Sequence, residues 1–237
     1  MKLLLIRYTK IWFTYLQLHY VFNAFNAFLL NLMHMSKLSE WISKNKPLYN
    51  DFPSKWDYNK RFDFYEWVLM QEKLVDSPVN YLEFGVANGH SMRWFSEKNH
   101  HADSEFHGFD TFTGLPEDWG PYKKGTFGTG NQVPVIDDTR IQFHQGLFQQ
   151  TLPGFVKQFP ENKRSILFMD ADLYSATLYT LTSLALFLKK GDIIFFDQFA
   201  VPTHEFRAYT DFIESFYLDL ELIGASNNYY FVAFKVV

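Results

Sequence analysis

Residues 81–91 read YLEFGVANGHS. An apolar run stops at Gly85, a second glycine follows at Gly89, and a helix-compatible stretch (GHSMRWFSEKN, 89–99) begins there. Gly85 and Gly89 allow a tight turn and a close approach of ligand to backbone, and the helix N-terminus beyond them offers free N–H groups. The spacing G-x-x-x-G does not meet the dinucleotide fingerprint G-x-G-x-x-G. A turn that serves only tight packing is the alternative reading.

Outward from this turn the pattern repeats. Strand-like runs VNYLEFG (79–85), EFHGFD (105–110), TRIQFHQG (139–146), RSILFMD (164–170) and DIIFFDQF (192–199) alternate with helical stretches at 89–99, 148–159, 174–190 and 204–218. Two further runs, LELIGAS (220–226) and NYYFVAFKVV (228–237), are joined by a polar turn. Continuous apolar strands alternating with helices predict an α/β fold with a mostly parallel sheet covered on both faces, and the last pair predicts an antiparallel hairpin. Residues 112–138 interrupt the rhythm with five glycines and three prolines; a loop of that length predicts a lid.

The chain has 237 residues, 47% hydrophobic and 20% aromatic, with a net charge of −4 and no cysteine. It can bury a large core without staples, and thiolate metal sites, disulfides and cysteine nucleophiles are excluded. The acidic balance argues against nucleic acid as a partner. Residues 1–36 carry Lys2, Arg7 and Lys10 and no other formal charge. Their polar stripe of His19, Asn23 and Asn26 suits a bilayer span poorly. The favoured reading is an apolar, amphipathic helical extension packed on the domain or on a second copy of the chain, with contact to a membrane surface as the alternative. Residues 37–60, polar and holding Pro47 and Pro53, read as a linker with at most short helical turns, and residues 61–237 as the domain proper. The expected location is cytoplasmic, with membrane association following only if the extension takes its alternative role.

In an open parallel sheet ligands bind beyond the carboxyl ends of the strands. Asp110 ends the second strand, 25 residues past Gly85, where a carboxylate can accept hydrogen bonds from a ribose; capping the next segment is its other reading. Asp170 and Asp172 end the fourth strand and Asp197 the fifth. If those strands are neighbours, three carboxylates converge, a hard-oxygen set suited to Mg²⁺, with helix capping as the alternative. His204 follows the fifth strand as a candidate general base, against a solvent-facing residue in a first helical turn.

Five blocks in register, YLEFGVANGHS, GFDTFTGLP, HQGLFQQTLP, LFMDADLYSAT and GDIIFFDQF, resemble the macrocin O-methyltransferase family over about residues 79–217. That resemblance implies a class I, Rossmann-like, seven-stranded fold and S-adenosylmethionine as cofactor, contacted by Glu83, Gly85, Ser91 and Asp110; Gly89, in the same glycine turn, and Gly146, at the end of the third strand, are further candidate cofactor contacts. It implies methyl transfer to a hydroxyl of a small molecule, a sugar or glycosylated metabolite, with magnesium at the strand ends that carry Asp170, Asp172 and Asp197; Asp170 and His204 are the candidate proton acceptors. The family often carries an Asp-Asp pair where this chain has Asp197-Gln198. An amide oxygen ligates a hard cation without charge, so metal affinity is expected to be weakened or lost. A non-catalytic Rossmann-like module is the competing reading. A nicotinamide-dependent oxidoreductase is the weaker one, since the glycine spacing fails.

Overall fold

The β-branched and aromatic runs pair into one eight-stranded sheet in a computed structural model that describes residues 2–160 and 162–237. Met1 and Glu161 lie outside the described residues. The strands are β1 (Tyr49–Asn50), β2 (Val79–Phe84), β3 (Glu105–Asp110), β4 (Ile141–Gln145), β5 (Arg164–Met169), β6 (Ile193–Phe196), β7 (Leu220–Ser226) and β8 (Phe231–Val236). Their order is β1-β7-β8-β6-β5-β2-β3-β4, all parallel except β8, which runs antiparallel to both β6 and β7. The seven expected strands are present with the antiparallel hairpin, and the two-residue β1 adds an eighth.

The helices are α1 (Lys2–Tyr15), α2 (His19–Lys44), α3 (Lys60–Gln71), α4 (His90–Lys98), α5 (Phe148–Phe155), α6 (Tyr174–Leu184) and α7 (Glu205–Phe216). Alternate residues of each central strand face opposite layers. Leu82, Phe84, Leu167, Met169, Ile194 and Phe196 pack under α5, α6 and α7. Tyr81, Ile166, Phe168, Ile193 and Phe195 pack under α3 and α4. Because both faces are covered, every residue of β2 and β6 is buried.

The N-terminal extension departs from expectation. It is two helices, broken at Gln17, whose φ of 48° allows a Schellman-type stop: the N–H groups of Leu18 and Gln17 donate back to the carbonyls of Phe13 and Thr14 at 3.2 and 3.1 Å. No residue of α1 is buried, and in α2 only His34 and Leu38 are. Packing on the domain therefore holds only for the last turns of α2, where Trp41 sits among Phe199, Phe206, Tyr209, Tyr229 and Phe234. No helix among the described residues is long and apolar enough to cross a membrane.

The expected linker over 37–60 is corrected in two ways. Helix α2 continues through it to Lys44, and the remainder is tied to the β7–β8 turn. Asn50 Nδ2 donates to the Tyr229 hydroxyl at 2.6 Å, and the Ser54 and Asp57 N–H groups donate to the side chains of Asn228 and Asn227 at 2.8 and 3.0 Å. A polar composition here marks hydrogen bonding to the domain rather than freedom from it.

Candidate active site

Strand order turns back at β2, whose neighbours are β5 on one side and β3 on the other, and a cavity of about 330 Å³ opens at the carboxyl ends of these strands. Gly85, Val86, Ala87, Asn88, His90 and Ser91 form one wall, from the turn after β2 into the first turn of α4. Gly85 has a φ of 98°, and a Cβ there would overlap the Asp170 carbonyl oxygen, so the turn can form only with glycine. Gly89, with φ 74°, is the N-cap of α4 and lies behind the wall.

Asp110 lines the cavity and fastens the same turn. Its Oδ2 accepts the N–H groups of Val86 and Ala87, both at 2.8 Å, and its Oδ1 accepts that of Phe112 at 2.7 Å. The carboxylate is thus a clamp on the loop with one lone pair of Oδ1 left for a ligand hydroxyl. Both sequence readings, loop cap and ligand acceptor, fit one side chain. Glu83 is buried and accepts from the Tyr81 hydroxyl at 2.8 Å, and burial pushes its carboxyl up to about 8.

The cover is the 112–138 loop, which contributes Gly114, Leu115, Pro116 and Phe127. It is internally bonded: the Leu115 and Gly125 N–H groups donate to the Thr126 and Leu115 carbonyls at 2.9 and 2.8 Å, and Trp119 stacks on Tyr122. Gly146, expected at the cofactor, is not in the wall; its φ of 143° turns the chain so that Leu147, Phe148 and Gln149 are.

At the floor the three strand-end aspartates part ways. Asp170 lines the cavity, and burial together with Asp197 and Asp172 holds its carboxyl well above the usual range. Asp172 also lines it, accepts from the Gln198 amide, and is pushed up to about 7 by burial first and Asp197 second. Asp197 is fully buried, and its two oxygens accept the hydroxyls of Tyr58 (2.6 Å) and Tyr65. Donors of the protein thus engage both oxygens of Asp197 and one of Asp172, and no group of three or more His, Asp or Glu among the described residues could hold a metal ion. The Mg²⁺ set expected from Asp170, Asp172 and Asp197 is not assembled: adjacency of the strands holds, but the side chains of Asp172 and Asp197 are spent on Gln198 and the two tyrosines. His204 is likewise not in the cavity wall. It caps α7 and its Nδ1 accepts the Tyr174 N–H at 3.3 Å, and burial lowers its pKa.

Two wall residues went unread in the sequence: Tyr58, near the end of the linker segment, and Arg61, the first residue of the domain stretch. Their i, i+3 spacing across the start of α3 was the available signal. Arg61 Nη1 donates to the Tyr58 hydroxyl at 2.8 Å.

Fold and site together define a Rossmann-like α/β protein with a small-molecule cavity over its switch point. Residues 82–199 match the family described as "Methyltransferase domain". Among solved structures, the calicheamicin methyltransferase CalS11 is similar with a TM-score of 0.59 at 19% identity, over 86% of this chain and 91% of that one. The O-methyltransferase NovP gives 0.59 at 21%, over 75% and 80%. An apo structure of CalS11, described as a TDP-rhamnose 3′-O-methyltransferase, gives 0.53 at 21%, over 86% and 93%. At these identities the likeness establishes the fold. No curated protein matches the sequence.

Proposed function

We propose that the protein is an S-adenosylmethionine-dependent O-methyltransferase acting on a hydroxyl of a small molecule, with a sugar or glycosylated metabolite as the substrate class. The observation that carries the reading is the cavity over β2, β3 and β5, walled by the glycine turn, the α4 N-terminus and Asp110, within the matched domain. The cavity suits the cofactor's chemistry: Asp110 retains an acceptor for a ribose hydroxyl, and the carboxyls of Asp170 and Asp172 suit a cationic sulfonium. When bound, that cofactor supplies an activated methyl group. The chain must orient the acceptor, exclude water and take the hydroxyl proton. The 112–138 loop excludes water. Asp170, in its ionised form, receives the proton: its carboxyl is in the cavity and has no side-chain partner among the described residues.

The test is transfer of labelled methyl from S-adenosylmethionine to a panel of free and nucleotide-linked sugars. Asp170→Asn should lower turnover at least 100-fold, as expected for loss of a general base, while S-adenosylhomocysteine binding stays within about threefold. Full turnover in Asp170→Asn overturns the base assignment. Absence of cofactor binding by the native protein overturns the whole reading.

A further inference from the structure

The cavity wall is acidic except at one point. Asp110, Asp170 and Asp172 line it, and among the described lining residues Arg61 alone bears a permanent positive charge. Its side chain is 13% exposed. The guanidinium lies against the rings of Tyr58 and Phe62, 4.3 and 4.7 Å from their centroids. It is held in place from behind: Nη1 donates to the Tyr58 hydroxyl at 2.8 Å, which donates in turn to Asp197 at 2.6 Å. Asp197 itself is 3.9 Å from Nη1, too far for a hydrogen bond, and its oxygens already accept two phenols. Arg61 Nε is buried with no hydrogen-bond partner in the protein. An unpaired buried donor on a charged group is costly unless a ligand completes it, and a guanidinium's planar fork matches a carboxylate.

We infer that Arg61 is the anchor for the carboxylate of the cofactor's amino-acid arm, bound at the Tyr58–Arg61 side of the cavity. The inference rests on the methyltransferase reading and adds an end-to-end orientation to it. The arm is a zwitterion: its carboxylate has one cation to meet in this wall, whereas its ammonium can meet Asp172. The nucleoside end is then left to Asp110 and the glycine turn. Asp197 is a positioning residue that fixes the guanidinium through the Tyr58 hydroxyl from behind the wall.

The experiment compares two probes by titration calorimetry on the full chain. S-Adenosylhomocysteine carries the amino-acid arm; 5′-methylthioadenosine has the same nucleoside and sulfur without it. Arg61→Met should weaken S-adenosylhomocysteine by about 10- to 100-fold, the loss of a hydrogen-bonded charge pair, and leave 5′-methylthioadenosine within about twofold. Arg61→Lys should recover part of the loss. Should Arg61→Met fold poorly, the native protein titrated with the methyl ester of S-adenosylhomocysteine should show a loss of the same size. Equal weakening of both probes in Arg61→Met, or an ester that binds as well as the acid, overturns the anchor and leaves the methyltransferase reading standing. A native protein that binds neither probe overturns that reading and the anchor with it.

Discussion

Glu83 sits at the carboxyl end of β2 with 1% of its surface exposed and one tyrosine hydroxyl for company. In the unfolded chain it releases its proton near the ordinary value of 4.5, and in the folded protein at about 8. Between those values the folded state holds a proton that the unfolded state has lost, so Glu83 contributes a loss of stability as pH rises through that window. The limiting slope is about 1.4 kcal/mol per pH unit. Glu83→Gln should therefore flatten the fall of melting temperature of the ligand-free protein between about pH 4.5 and 8, and gain most over the native chain at the alkaline end. Thermal scans across that range check it. A variant whose profile keeps the native slope would mean that Glu83 ionises freely in the fold. The residue was readable as a strand-end carboxylate, but its partner Tyr81 was not, because two residues on one strand face say nothing of what covers them.

Helix α2 shows how one element can serve two environments. Its first half presents Tyr20, Val21, Phe22, Phe25, Phe28 and Leu29 to solvent, while its last turns drive Trp41 among five rings. Aromatic contacts of this kind add to area burial, so Trp41→Ala should cost about 2–4 kcal/mol, somewhat below a fully buried tryptophan. Deleting residues 2–30 should leave the melting temperature unchanged within error, since none of them is buried. Denaturant titration of the two variants side by side checks the pair of expectations. A truncation as damaging as Trp41→Ala would show that the arm stabilises the domain. The sequence disclosed that the arm was apolar and cationic. It did not disclose where the helix meets the domain, because the period of the apolar residues is the same in both halves.

At the scale of the molecule, the sheet was legible because its strands are buried on both faces and read as unbroken apolar runs. Tyr49–Asn50 was not, since two residues carry no periodicity and β1 is held by pairing with β7. The place of the cavity followed from strand order and the glycine turn. Its acid–base wiring did not follow: Asp197 looked free at a strand end, and only the fold brings Tyr58 and Tyr65 to it from 139 and 132 residues away. Gly146 and His204 were placed correctly along the chain, yet the turn at one and the helix cap at the other carry them out of the cavity wall. The charge is also divided. Lys2, Arg7 and Lys10 give the first 36 residues a positive sign without a single acid, so the remainder is more acidic than the net charge of −4 conveys. The two parts of the chain thus present opposite fields to anything that approaches them.

The amide of Gln198 against Asp172 has a meaning in the genetic code. Glutamine and glutamate codons differ only in their first base, so one nucleotide substitution converts this neutral contact into two facing carboxyls. Two carboxylates buried together cannot both ionise, and a shared proton or a cation must hold them. Gln198→Glu should accordingly melt at lower temperature as pH rises above 6, and millimolar Mg²⁺ should restore part of that loss while leaving the native protein unmoved; equal responses of the two proteins to Mg²⁺ would refute it. Heredity keeps an amide facing a carboxyl and a pair of facing carboxyls within a single step of each other at this position.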